Sequence, residues 1–248
     1  MAPTLILRYS KDLSEWPHPG DTRFIRCGYL LASRFLFKIS EHEILPPFED
    51  EIRRYIVIEK VGSRVSEARL STEILDLEDD GKNEQEIIQT LLKSTLIDYS
   101  KNTVAARIGL RDYSFVDTGS RIECYQVAGA FTMPSAHRKG IISRTYLFLL
   151  NWYDHLVCDD MQTIPGAKIW AGPLIRGGEV RIYNENGEVF EDVLGEKGIG
   201  RHTGFLPWNR GRVSDVSGWR PNELQTTIQK FIVLIISRGT SLKIGFVP

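Results

Sequence analysis

The feature that most constrains the fold is a run from residue 121 to residue 160, where a strand, a loop, an apolar helix and a second strand follow one another. Residues 121–132 (RIECYQVAGAFT) have the β-branched and aromatic content of a strand. Ile141 to Tyr153 predict a helix that is apolar on nearly every side, and residues 155–160 (HLVCDD) predict a short buried strand. This order predicts a βαβ unit in which the helix connects two parallel strands.

The loop inside this unit gathers positive charge just before the helix. His137, Arg138, Lys139 and Gly140 stand in the turn, where the first amide groups of the helix have no intrahelical acceptor. A pyrophosphate group needs several such donors at once. Gly140 lets the backbone approach an anion closely, and Arg138 and Lys139 can add charge-assisted hydrogen bonds. The alternative interpretation is an ordinary βα turn with solvated basic residues.

The same stretch resembles the GNAT (Gcn5-related N-acetyltransferase) superfamily. Members often have Val-x-Pro after a strand, then Arg/Gln-x-x-Gly-x-Gly/Ala at the head of a helix that receives the pyrophosphate of acetyl-coenzyme A. Here Thr132-Met133-Pro134 occupies the first motif and residues 137–142 (HRKGII) occupy the second. His137 replaces the usual Arg or Gln, and Ile142 replaces the last small residue. The resemblance covers about residues 121–175 and none of the first 100.

The resemblance implies acetyl-coenzyme A, or another acyl-coenzyme A, as the cofactor. It implies that backbone amides at the end of the first strand grip the pantetheine arm and bind the developing oxyanion, and that the loop and the helix start bind the pyrophosphate. The implied cofactor-binding residues are Phe131, Thr132, Met133, His137, Arg138, Lys139, Gly140, Ile141, Ile142 and Ser143.

The family's reaction is direct attack of an amine on the acyl thioester, which needs a general base and an acid for the departing thiolate. Glu123 is the first candidate base and Asp160, at the end of the next strand, is the second. Tyr125 and Tyr146 are candidate acids. Each also has a purely structural interpretation, as a solvated carboxylate, a helix cap or a core aromatic residue.

The segment after the second strand resembles the family less closely. Residues 163–174 (TIPGAKIWAGPL) are similar to a short helix in which many members carry a Tyr that protonates the thiolate. Trp170 falls near that position and cannot donate in this way. Asp159, Asp160, Gln162, Thr163 and Trp170 together are similar to poorly characterised phage-encoded relatives of GNAT enzymes.

The remaining segments predict an α/β (α+β mixed sheet) fold, GNAT-like, with a central twisted sheet flanked by helices. Residues 1–100 are expected to form an N-terminal elaboration, part of the core or packed on it, and residues 101–248 the acyltransferase-like core. Asn186-Gly187 predicts a hairpin within 179–193. Further strands are predicted at 4–9, 24–39 (partly helical in the alternative), 55–60, 104–110, 230–237 and 241–247, with short helices at 87–99 and 166–172 and an acidic solvated loop at 73–86.

The amino-acid composition limits the kinds of partner that this protein can bind. The formal net charge is −1, so no overall basic field recruits nucleic acid or a membrane, and an anion site must be local. No apolar run reaches the roughly 18 residues of a membrane span, and three cysteines without Cys-x-x-Cys spacing favour buried free thiols over a zinc site. We therefore expect a soluble cytoplasmic protein without a metal.

An arginine-rich and tryptophan-rich stretch, residues 197–220, has the composition of an anionic or nucleic-acid contact, and equally that of a glycine-rich loop anchored by buried tryptophans. The leading expectation is an acyl-coenzyme A dependent N-acyltransferase acting on an amine-bearing acceptor of unknown size. The alternatives are a non-catalytic binding protein on the same scaffold and a nucleic-acid contact through residues 197–220.

Overall fold

A large mixed sheet forms the centre of the molecule. The computed structural model describes residues 13, 22–46, 51–136, 140–159, 161–208, 225–227 and 229–239. The strands are β1 (Thr22–Ala32), β2 (Phe35–Ile44), β3 (Arg54–Lys60), β4 (Thr103–Asp117), β5 (Ser120–Thr132), β6 (His155–Val157), β7 (Met161–Thr163), β8 (Val180–Asn184), β9 (Val189–Val193), β10 (Gln225–Thr227) and β11 (Ile232–Ser237). The helices are α1 (Glu67–Asp79), α2 (Glu84–Lys93), α3 (Ile141–Leu149), α4 (Ile164–Ile169) and α5 (Ile175–Gly177), with a π-helical turn at Trp170–Leu174 between the last two.

Nine strands are joined in the order β1-β2-β3-β4-β5-β6-β11-β8-β9, and β7 pairs separately with β10. All of the neighbouring pairs are antiparallel except β5 and β6, which are parallel. The predicted crossover unit is therefore confirmed as β5, α3 and β6. The α/β class with a mixed sheet is confirmed as well, and β1 to β3, from the first hundred residues, belong to the same sheet.

Residues 24–39 form a tight hairpin and contain no helix. Ser33 and Arg34, which join β1 to β2, have φ of 49° and 59°, in the left-handed region that two-residue hairpin turns require. The alternative of a partly helical segment is wrong, because the turn reverses the chain and the two strands pair along their length.

Helices cover both faces of the sheet. Leu30 pairs with Phe37 and Leu31 pairs with Leu36, and successive residues of a strand point to opposite faces. Leu30 and Phe37 belong to the main core, which includes the buried side of α3. Leu31 and Leu36 belong to a second core built with α1 and α2.

The acidic stretch at 73–86 is partly helical, which corrects the expectation of a solvated loop. Ser66 caps α1 by accepting a hydrogen bond from the Arg69 amide, and Leu70, Ile74 and Leu77 form the buried stripe of that helix. Their spacing was hidden by the acidic residues between them, which are themselves good helix formers. The next helix, α2, starts with a capping box and ends at Lys93, before the predicted end near residue 99.

One carboxylate links the edge of the sheet to two helices. Glu84, in the first turn of α2, accepts a hydrogen bond from the Leu31 amide of β1 at 3.0 Å. Its other oxygen pairs with Arg144 of α3 at 2.5 Å. Edge strand, α2 and α3 are thereby held together at the end of the sheet where α3 begins.

The second half of the chain has shorter strands. The hairpin predicted around Asn186-Gly187 is confirmed by β8 and β9, and β11 inserts between β6 and β8. The predicted strands at 4–9 and 241–247 lie outside the described residues. The three cysteines are free, as expected, and Cys158 is fully buried. No helix in the described part of the chain is long and apolar enough to cross a membrane.

Candidate functional site

The first turn of α3 has amide groups that no described residue caps. Gly140 precedes the helix with φ of 67°, a left-handed conformation that favours glycine, and no side chain caps the helix. The first helical hydrogen bond runs from the Arg144 amide to the Gly140 carbonyl at 3.1 Å. Within the described part of the chain, no hydrogen bond uses the amides of Ile141, Ile142 or Ser143. Three adjacent donors therefore face the turn.

The side chains of this first turn leave that space largely open. Ile142 is half-buried and packs against the main core, and the Ser143 hydroxyl donates to the Gly140 carbonyl at 2.9 Å. A Cβ atom built on Gly140 would come no nearer to other atoms than 3.9 Å, at Ser143 Oγ. The space at this glycine is therefore open, and the left-handed φ is what restricts the residue. His137, Arg138 and Lys139 lie outside the described residues.

The amides at the end of β5 are only partly available. The Met133 amide donates to the Ala105 carbonyl of the neighbouring strand at 2.9 Å. The expectation that Met133 supplies an oxyanion donor is therefore wrong, because this amide completes the β4–β5 ladder. Phe131 and Thr132 pair with Arg107 and Ala106 in the same ladder.

The two parallel strands separate soon after they meet. β5 and β6 pair only at Tyr125 with Leu156 and at Gln126 with Val157. Beyond that point β5 continues to Thr132, whereas the Cys158 amide already donates to Leu234 of β11 at 2.9 Å. The Gln126 side chain donates to the Cys158 carbonyl at 2.8 Å. This hydrogen bond lies at the point where the two strands part, which we call the vertex. Beyond Gln126, β5 and the chain after β6 are therefore not paired with each other. This unpaired region is the gap between β5 and β6.

The candidate acid and base lie near that vertex. Glu123 is exposed and opposite Ser114 of β4. Tyr125 is half-buried, with its ring centroid 4.9 Å from that of Tyr153. Burial raises the pKa of Tyr125, and the nearby Arg54 only partly offsets this effect. Glu123 and Tyr125 share one face of β5, as predicted, because they are two residues apart.

The structure does not bring this pair next to the helix start. Tyr125 precedes Thr132 by seven positions on β5, which is about 23 Å at roughly 3.3 Å per residue. The nine-residue helix α3 lies between Gly140 and the turn that leads to Tyr153, and it is itself about 14 Å long. A ligand that contacts both ends must therefore be long. Asp160, the second candidate base, lies outside the described residues.

Trp170 and Tyr146 are core residues. Trp170 is 3% exposed and Tyr146 is 5% exposed, and their ring centroids are 6.1 Å apart. Burial raises the pKa of Tyr146 far above its ordinary value. The π-helical turn that begins at Trp170 contains Pro173, which has no amide hydrogen to donate.

A buried ion-pair cluster beside Tyr125 was not anticipated. Glu41 is 1% exposed and accepts from Arg26 Nε at 2.6 Å and pairs with Arg54 Nε at 3.3 Å. The Arg26 guanidinium also lies 5.2 Å from the Tyr153 ring centroid and the Arg54 guanidinium 5.8 Å from that of Tyr125. The signal in the sequence was the alternation along β2, which places Glu41 on the same inward side as Phe37 and Ile39.

The glycine-rich region after β9 is held by two buried contacts. Asp192 accepts hydrogen bonds from the His202 amide and from the amide and hydroxyl of Thr203. Burial alone would raise its pKa, but these bonds lower the pKa of Asp192 to about 2. Trp208 is 1% exposed and its Nε1 donates to Gln162 Oε1 at 3.3 Å. Up to residue 208 the region is an anchored loop, and residues 209–224 lie outside the described part.

Comparison with known proteins identified no relative. No family model, no curated protein and no solved structure matches this chain at a significant level. Within the described ranges, no group of three His, Cys, Asp or Glu side chains is placed to hold a metal ion. Function is therefore inferred from the geometry of α3, β5 and β6.

Proposed function

We propose that this protein is an acyl-coenzyme A dependent N-acyltransferase of the GNAT type. The observation that carries the proposal is the uncapped start of α3, where Gly140 is left-handed and the next three amides have no acceptor among the described residues. Such a helix start is a favourable site for a diphosphate, because unpaired amides and the helix dipole act together.

The gap between β5 and β6 supports the same proposal. It begins at Gln126 and follows β5 toward Thr132, so one extended ligand would reach from the helix start to the vertex. The pantetheine arm of an acyl-coenzyme A has this elongated shape and ends in the thioester. With its diphosphate at Gly140, the reacting carbonyl would lie near the paired end of β5.

Amide donors along the gap are inferred from the ladder. The Met133 amide faces β4, and hydrogen-bonding direction alternates along an antiparallel strand. Phe131 therefore also faces β4, and the amide of Ala130 faces the gap. Ala130 lies five residues beyond Tyr125 on β5, about 16 Å away, so we assign its amide to the pantetheine arm and not to the oxyanion.

The acid and base are assigned to β5 as well. The raised pKa of Tyr125 keeps its phenol protonated at neutral pH, the form that can donate to a departing thiolate. Glu123, exposed on the same face, would take the proton from the amine through a water molecule. Tyr146 is a poor candidate acid because it is enclosed in the core.

Calorimetric titration of the full chain with acetyl-coenzyme A tests the proposal. Saturable heat is expected for the unmodified protein. Gly140→Leu should abolish it, since a side chain forces this residue out of its left-handed conformation or into the turn. Gly81→Leu is the matched control: Gly81 also has a positive φ, 78°, and an unobstructed Cβ position. No heat at millimolar ligand, or equal binding by both variants, would contradict the proposed site.

Thiol release separates an enzyme from a binding protein. Slow hydrolysis of acetyl-coenzyme A can be followed without knowing the acceptor, and Tyr125→Phe should lower its rate about tenfold or more while leaving the binding heat unchanged. Binding without release would favour the second candidate, a non-catalytic protein on this scaffold. The observation favouring that candidate is Trp170, buried where an acid would be expected.

A further inference from the structure

A cavity of about 400 Å³ opens on the face of the sheet opposite α3. Alternation along β2 places Lys38, Ser40 and His42 on this face, while Phe37 and Ile39 point toward the core that contains α3. Strands β1, β3 and β4 contribute the other walls, and the cavity does not include any residue of the gap between β5 and β6. It is therefore distinct from the proposed acyl-coenzyme A site.

Two cations and a buried hydroxyl line the cavity. Lys38 faces Glu59 across the strands, yet it forms no ion pair with any described residue. Arg107 Nη1 donates to the Leu13 carbonyl at 3.2 Å at the wall. Ser40 is only 4% exposed and lines the same cavity. Its hydroxyl can donate a hydrogen bond to a ligand there.

Aromatic surface adjoins these polar groups. Phe24 is 55% exposed, and its ring meets that of His42 edge to face, with centroids 5.7 Å apart. Burial, followed by the charge of Lys38, lowers the pKa of His42, so the imidazole is neutral at pH 7. An exposed ring beside a cavity offers a planar ligand a stacking surface.

We propose that this cavity binds a small organic anion that carries a planar ring. Lys38 and Arg107 hold the anionic group, Ser40 donates a hydrogen bond to it, and the ring stacks on Phe24. Glu59, at the same wall, accepts hydrogen bonds from N–H or O–H groups of the ligand. A nucleoside monophosphate has all of these features, and the cavity volume falls in the range of small-molecule sites.

Titration of the full chain with adenosine 5′-monophosphate, followed by amide chemical shifts, tests this inference. Saturable shifts are expected on β1 to β4. Inorganic phosphate and adenosine, which each lack one half of the ligand, should each bind about tenfold or more weakly. Equal affinity for adenosine and for its monophosphate, or no saturable shifts at 10 mM ligand, would overturn the proposal.

Two substitutions locate the binding. Lys38→Gln should weaken binding of the monophosphate about tenfold, and Phe24→Ala should weaken it about fivefold. Lys93→Gln, at an exposed lysine on α2, is the matched control and should leave affinity unchanged. Because Lys38 and Phe24 are surface groups at the cavity, unchanged thermal melting is expected, and melting curves verify that the variants fold.

The Gly140→Leu variant separates this site from the start of α3. It should bind the monophosphate as the unmodified protein does, even though it should lose acetyl-coenzyme A. Loss of monophosphate binding in Gly140→Leu, together with normal binding in Lys38→Gln, would place the nucleotide at α3 and overturn the second site.

Discussion

The two halves of the nine-stranded sheet are held together in different ways. β4 and β5 are 15 and 13 residues long and pair along nearly their whole length. On the other side of the parallel pair, β6, β8, β9 and β11 have only three to six residues. There, Asp192 of β9 binds the loop that follows it, and Trp208 at the end of that region binds Gln162 of β7. The first half relies on continuous ladders and the second on a few specific anchors.

This difference indicates where a substitution should lower the stability of the fold most. Loss of one contact in a long ladder leaves many parallel contacts in place, whereas loss of an anchor releases an entire loop. The proposed cofactor gap lies at the boundary between the two halves, where β5 continues and β6 stops. Because β6 is short, β5 and β6 part beyond Gln126 while the β4–β5 ladder stays paired.

Trp208→Ala should have the largest effect. The side chain is 1% exposed and donates to Gln162, so its removal leaves a cavity and an unpaired amide oxygen. We expect the free energy of unfolding to fall by about 4 kcal/mol, measured by urea denaturation. Leu206→Ala, two residues earlier and 38% exposed, should cost less than about 1 kcal/mol. Similar losses of stability for both variants would mean that Trp208 does not anchor the loop.

Glu41→Gln tests a strongly anchored position in the first half. The substitution leaves Arg26 and Arg54 without their shared carboxylate. We expect a loss of about 2 to 3 kcal/mol, below the full cost of an unpaired buried charge because both arginines are partly solvated. Glu123→Gln, at an exposed carboxylate on β5, should change stability by less than about 0.5 kcal/mol. A loss of stability larger than that of Trp208→Ala would mean that the first half depends on single contacts more than the second half does.

Asp192→Asn should cost about 2 kcal/mol at pH 7, because three charge-assisted hydrogen bonds from the loop and one from the Val193 amide are weakened. The folded pKa of about 2 lies below the ordinary 3.8. Its stabilisation is therefore fully present above about pH 3.8 and is lost as the pH falls toward 2. Urea melts at several pH values should show this acid loss in the unmodified protein and in Glu179→Gln, and a smaller one in Asp192→Asn.

Val189→Thr on the edge strand β9 should have the smallest effect. The side chain is 49% exposed, and threonine keeps the β-branched shape that strands favour. We expect a change within about 0.5 kcal/mol by urea denaturation. A loss above 1 kcal/mol would mean that the short strands themselves, and not only their anchors, limit the stability of the second half.

Local patterns predicted much of this fold. The crossover of β5, α3 and β6 followed from strand composition, the Pro134 and Gly140 breaks and the apolar helix, because each of these signals acts within a few residues. The β8–β9 hairpin followed from Asn186-Gly187 in the same way. By contrast, α1 was missed because its apolar stripe of Leu70, Ile74 and Leu77 lies among acidic residues that suggested a loop.

Contacts between distant segments could not be predicted. The Met133 amide bonds with Ala105, 28 residues away, and only the register of β4 with β5 decides whether it is available. The burial of Glu41 depends likewise on arginines of two other strands. Sequence patterns identified the proposed helix start at Gly140, but its distance from Glu123 and Tyr125 required the packing of α3 on the sheet.

Glu84 has a consequence for self-association. Among the described strands β1 is an outer one, 11 residues long, the kind of edge on which a second chain can add a strand and begin aggregation. By accepting from the outward Leu31 amide, Glu84 removes one of the donors that an incoming strand would need. The contact that orients α2 and α3 thus also occupies one hydrogen-bonding position on the outer side of β1.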